Sequence, residues 1–233
     1  MIEKIIRSKW MYKVGGFSLI IVGVSYLMGA VLSLMIGPAP NGAAEYMNAL
    51  ADHKLISLTN FAFFTLADIC LIPASLSLYH ALKGVNKKAM IVASALIVLF
   101  AVFDAAVTEL CSFQLVALTQ GFTATTTEAQ RSAIMLTANS LLSTLPIATL
   151  CSFVISSVGL LIAAAVMLES SFSKRAAIPG LTAGIAGTAG GFYILAPVLS
   201  LLIMPSLIAM GIWGIFSGRI VRKMKYPLAE DKH

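Results

Sequence analysis

Residues 99–113 read LFAVFDAAVTELCSF. Asp104 and Glu109 stand inside an otherwise almost unbroken apolar run. In a water-soluble protein this would be a core helix with two acids on its rim. In a bilayer an ionised group at the centre costs about 3 kcal/mol by insertion scales, so the two acids need a reason. The rest of the chain decides which solvent applies.

Of 233 residues, 59% are hydrophobic and 11% are charged. Soluble domains run nearer about 45–50% apolar and about 25% charged. The excess lies in blocks of about 20 residues or more, enough to cross a hydrocarbon core of about 30 Å as helices. The fold class expected is all-α, a polytopic membrane helical bundle forming one domain over residues 1–233. Six transmembrane helices are expected at about 14–37, 55–82, 89–118, 146–168, 176–195 and 198–220. The basic start MIEKIIRSKWMYK resembles that of a signal peptide. The apolar stretch from Val14 to about Gly37 is too long for a signal core, so an uncleaved first span is expected.

The connections carry their own signals. GPAPNGAAEYMNALADHK is rich in Gly, Pro and small polar residues, which marks an aqueous loop with a short helix. LKGVNKK is a tight turn. Thr125 with Glu128, and Thr127 with Gln130, have capping-box spacing, so a helix should begin there. Counted on to Leu168, that helix would be about 63 Å long, more than one bilayer holds. Pro146 offers a break. Residues 127–144 are therefore expected as an outer-surface helix, separate from the span at 146–168.

The net charge of +6 is laid out by topology. Lys4, Arg7, Lys9 and Lys13 precede the first span. Lys83, Lys87 and Lys88 follow the second, Lys174 and Arg175 the fourth, and Arg219, Arg222, Lys223, Lys225 and Lys232 close the chain. So 14 of the 16 basic residues fall on one side, leaving Lys54 and Arg131 on the other. The positive-inside rule then places the protein in the cell (plasma) membrane as a multi-pass chain with both termini cytoplasmic. The expected partner is the lipid bilayer, with a homo-oligomer or a membrane partner subunit as further options. Nucleic acid is not expected, because the charge forms no patch.

Small residues mark helix contacts. Gly180-x-x-x-Gly184 and Gly187-x-x-x-Gly191 occupy the fifth span, and Gly16, Gly23 and Ala30 recur at seven-residue spacing in the first. Such stripes let backbones approach in lipid. Tight packing within the chain is the main expectation and a homodimer face the alternative. Trp10, Tyr12 and Trp213 are expected as interfacial anchors. Cys70, Cys111 and Cys151 have no CxxC neighbour and read as buried apolar groups.

Two stretches carry a family resemblance. LADICLIPASLSLYHALKGVNKKAMIVASALIVLFAVFDAA and SVGLLIAAAVMLESSFSKRAAIPGLTAGIAGTAG resemble the second to third and the fourth to fifth spans of an uncharacterised six-span integral membrane family of bacteria and archaea. The similarity runs loosely over residues 14–222. That family often has a basic residue in its third span where this chain has Asp104. The resemblance implies topology and no activity.

Asp68, Asp104 and Glu109 are the candidate ligand-binding acids. Asp68 and Asp104 fall at similar depth, near the middle of spans two and three. Asp68 shares a helix face with Ser57, Thr65, Ser75 and Tyr79. Five residues of α-helix put Glu109 about 140° around from Asp104, so the two are not expected to face one neighbour. Asn60 and Gln114 add polar groups in the outer half. No buried counter-ion is obvious. The acids are then either neutral and hydrogen-bonded to neighbouring helices, or line a wet cavity that takes a cation or a proton.

HExxH, GxSxG and phosphate-binding glycine loops are missing, so no catalytic or metal residue is assigned and any cofactor is unknown. Three readings follow. The first is a small transporter or binding protein for a cation, a proton-coupled solute or an amphipathic amine. The second is a non-catalytic membrane subunit or a binder of apolar ligands. The third is an intramembrane carboxylate or metal enzyme, disfavoured by the shortage of nearby His.

Overall fold

The computed structural model describes residues 2–37, 42–124, 127–170, 172 and 174–224, with side chains from Lys9 onward. The described backbone is helical in every major element: α1 (Ile2–Ile36), α2 (Ala43–Asp52), α3 (Lys54–Leu82), α4 (Lys87–Phe103), a π-helical turn (Asp104–Glu109), α5 (Leu110–Ala124), α6 (Glu128–Leu168), α7 (Lys174–Gly191) and α8 (Ile203–Lys223). Short 3₁₀ pieces, Phe192–Ile194 and Pro197–Leu202, join α7 to α8.

The ends follow local chemistry. Gly37 closes α1 with φ +80, a left-handed conformation that glycine adopts without strain. Asn86 caps α4, its side chain accepting a 3.0 Å hydrogen bond from the Ala89 N–H. Thr127 is the extended residue that starts α6, and its hydroxyl meets the Gln130 side chain at 2.9 Å. Thr125, Lys225 and Lys232 lie outside the described residues.

Among the described residues five helical segments are long and apolar enough to cross a membrane: Lys9–Ile36, Lys54–Leu82, Lys87–Ala124, Glu128–Leu168 and Pro197–Lys223. Large apolar side chains such as Val31, Ile69, Leu99 and Ile185 point outward from several of the helices. A water-soluble monomer does not present that much apolar surface. The fold is that of a helical membrane protein. α7 does not reach the same apolar length, because Lys174, Arg175 and its many glycines dilute it.

The long helices form a closed ring. α1 packs on α3 and α8, α3 on α4, α4 on α6, α6 on α7, and α7 on α8. Neighbours run antiparallel: Gly16 of α1 meets Arg222 of α8, while Gly23 meets Gly211 and Ile215. The stripes of small residues are the joints of this ring. A Cβ at Gly214 would sit 2.8 Å from Gly23 Cα, and one at Gly180 would sit 2.7 Å from the Trp213 ring. The packing within the chain that the stripes imply is therefore present. Tyr12 and Trp213 are corrections to the expected anchors: at 1% and 0% exposed they fill the core, and Trp10 alone of the three is exposed.

A second correction concerns the outer-surface helix. Residues 127–144 are not separate from the span at 146–168, because α6 runs unbroken through Pro146. Proline removes one N–H but does not oblige the chain to leave the helix. In the turn before it the hydroxyls of Ser143 and Thr144 donate to the Ser140 carbonyl, at 2.8 and 3.0 Å, so polar side chains stay on the helix's own backbone. The 41 residues of α6 are about 62 Å long, twice the hydrocarbon thickness. Its first half pairs with α5, and α2 packs on both. Met47, Leu50, Leu115, Val116, Phe122 and Ala138 make a second, smaller core in this cap.

Candidate functional site

α4 gives way at Asp104 to the π-turn, and α-helix resumes at Leu110. Backbone hydrogen bonds in a π-turn reach the fifth residue rather than the fourth. The fifth residue is thereby carried back over the first. Asp104 and Glu109 are such a pair, and both line one cavity. The angular separation expected from a regular α-helix does not hold. Nothing in Ala105–Thr108 advertises the wider turn: there is no proline and no glycine.

The cavity has a volume of about 310 Å³ and lies inside the ring, with walls from α1, α3, α4, the π-turn, α6, α7 and α8. Ser33, near the end of α1, and Ile203 and Met204, at the start of α8, line it. It thus extends toward the end of the ring that carries the cap. Tyr26 and Phe64 meet edge to face in its wall, with ring centres 5.7 Å apart. Phe100, Phe153, Leu160 and Met210 add apolar surface, and Ser152, Ser156 and Ser157 bring a row of hydroxyls from α6.

Asp104 is held by the neighbouring helix α6. Ser152 Oγ donates to Asp104 Oδ1 at 2.6 Å, and Thr108 Oγ1 lies 3.4 Å from Ser152 Oγ. A short bond of this kind suits a charged acceptor. Glu109 is 5% exposed, and its Oε2 has no hydrogen-bond partner among the described residues. Asp68 is deeper, 2% exposed, with neither carboxyl oxygen partnered among those residues. It does not line the cavity, yet it lies within electrostatic reach of Asp104 and Glu109. Tyr26, on the cavity wall, is within reach of all three acids.

The remaining candidates lie elsewhere. Asn60 is buried behind the wall, where Nδ2 donates to Ser33 Oγ at 3.2 Å. Gln114 is exposed on α5, outside the cavity. His53 is exposed, and the His80 ring contacts the Leu76 carbonyl on its own helix. Among the described residues no Lys, Arg or His lines the cavity. Among the described residues no group of three or more His, Cys, Asp and Glu is arranged to hold a metal ion. Cys70, Cys111 and Cys151 are unpaired and partly buried.

Reasoning from sequence missed Tyr26 and the serines of α6. A signal for the serines was present: Ser152 and Ser156 are four residues apart, so they share a helix face in an apolar span.

Comparisons with protein-family models, with curated proteins and with solved structures found no match for this chain. The function therefore has to be read from the cavity itself.

Proposed function

We propose that this chain is a multi-pass protein of the cell membrane that binds, and carries across, an organic cation with an apolar body. α7 completes the ring as a sixth span, since its 18 residues are about 27 Å long and it packs between α6 and α8. Both termini are cytoplasmic, with the cap outside, because basic residues crowd the loops away from the cap.

One observation carries the reading. Two carboxylates from a single π-turn face one largely apolar cavity that none of the described basic residues lines. An anion there wants a positive partner, and Glu109 Oε2 has no partner of its own. An amine or onium group supplies the charge. Phe64, Phe100, Phe153 and Tyr26 supply ring faces and edges for the apolar remainder, and cations favour ring faces. The volume lies at the small end of ligand cavities, which run about 300–1,000 Å³.

The membrane-subunit reading draws less support. The glycine stripes that would receive a partner's helix are already occupied by Leu161, Trp213 and the facing glycines of this chain. The reading is tested with purified protein in lipid nanodiscs and benzyltriethylammonium as probe. Asp104→Asn and Glu109→Gln should each weaken binding at least about tenfold, the loss of one desolvated charge contact. Wild-type affinity in both variants would overturn it.

A further inference from the structure

Asp68 is an acid the cavity does not use. It sits on α3, one residue past Ala67, which is fully buried, and three before Leu71, which is 1% exposed. Neither of its oxygens has a partner among the described residues. A bare carboxylate without a hydrogen bond or counter-ion is among the most costly groups to bury. Glu109 lines the cavity and has only one bare oxygen, whereas Asp68 has two and does not face the cavity, so with the cavity empty the neutral acid is favoured at Asp68.

The groups around it are all anionic or neutral. α1 presents Tyr26, and the π-turn presents Asp104 and Glu109. The basic residues of the packed helices lie at their far ends: Lys9 and Lys13 on α1, Lys87 and Lys88 on α4, Arg219, Arg222 and Lys223 on α8. In the cap, α2 offers Glu45, Tyr46 and Asp52 and α5 offers Cys111; α3 itself carries Cys70 two residues on from Asp68, Lys54 at its start, and Tyr79 and His80 beyond two further turns.

From this placement, and resting on the cation reading above, we infer that Asp68 is a proton site coupled to cavity occupancy, so that one bound cation displaces one proton. A cation between Asp104 and Glu109 places positive charge within electrostatic reach of Asp68. It favours the carboxylate there and disfavours the carboxylic acid. The O–H bond of Asp68 breaks with its electron pair left on the carboxylate oxygen. The proton passes to water by way of the cavity, whose wall includes Tyr26, itself within electrostatic reach of Asp68. Charge balances, one positive charge in and one out. The protein is then an exchanger of an organic cation for a proton.

Benzyltriethylammonium decides the matter because it has no proton of its own to release. In weakly buffered nanodiscs, its addition to the wild type should release close to one proton per bound cation. Asp68→Asn should still bind the probe but release less than about half as much, and its affinity should depend less steeply on pH. Asp68→Ser, smaller and still hydrogen-bonding, serves the same comparison where the amide does not fold. Unchanged proton release in the variant would overturn the role of Asp68 while leaving the cation site standing. No binding by the wild type, or undiminished binding by Asp104→Asn, would overturn the cation reading and the coupling with it.

Discussion

Ser152 on α6 donates a 2.6 Å hydrogen bond to Asp104 at the first residue of the π-turn, joining two helices that are neighbours in the ring. The bond orients the carboxylate into the cavity and holds the turn against α6. Ser152→Ala should cost about 1.5–3 kcal/mol, the range for hydrogen bonds to charged groups. Thermal unfolding in detergent reads the loss, and an unchanged midpoint would remove Ser152 from the role.

The π-turn itself is open to a direct test. Deleting Ala106 takes one residue from a turn with one too many for α-helix. α5 should keep its packing in the cap, and the two acids, then four residues apart in regular α-helix, stand about 40° apart and still share a face. We expect a folded protein that still binds the cation. A deletion variant that folds but no longer binds would show that binding needs the wider turn itself and not only the shared facing of the two acids.

Ring closure predicts which glycines are intolerant. Gly214→Ala sets a Cβ 2.8 Å from Gly23 Cα, a backbone atom that cannot step aside. Overpacking of this kind costs about 1–3 kcal/mol or more. Gly121→Ala, whose new Cβ would meet, among the described residues, the flexible tip of Ile134 at 3.2 Å, should be far milder. Melting temperatures of the two variants compared side by side check this.

Topology is tested by labelling. With Cys70, Cys111 and Cys151 replaced by serine, a cysteine at Glu45 or Thr127 should react with an impermeant maleimide in intact cells. One at Asn86 should react only after the membrane is opened. The reverse pattern would invert the protein.

Much of the architecture can be read from residues alone, because apolar length and basic loops both report on the bilayer. Span two, expected at 55–82, coincides with Lys54–Leu82 to within a residue, and span three begins within two residues of Lys87, but its expected end at 118 falls short of Ala124. The short helix after the first span is α2. The stripe of Gly16 and Gly23 marks a joint of the ring, since backbone approach leaves room for no side chain. What escaped reading depends on geometry that local sequence does not encode. Pro146 looks like a stop, yet α5 and α2 give the first half of α6 something to pack on, and tertiary contact outweighs the local preference. Trp213 looks like an anchor, but Gly180 opposite leaves a slot that its ring fills. The wider turn at Asp104–Glu109 leaves no mark in AAVT, so the facing of the two acids could not be had from helical arithmetic.

The joining of α1 to α8 has a bearing on biogenesis. Tyr26 and Ser33 of α1 share the cavity wall with Ile203, Met204 and Met210 of α8, segments far apart in the sequence. Until α8 has packed on α1, the intervening helices that bear Asp68, Asp104 and Glu109 form an arc with one side open. A contact so distant along the chain forms late, because loop closure has to precede it, so the enclosed cavity is an end product of folding and not a scaffold for it.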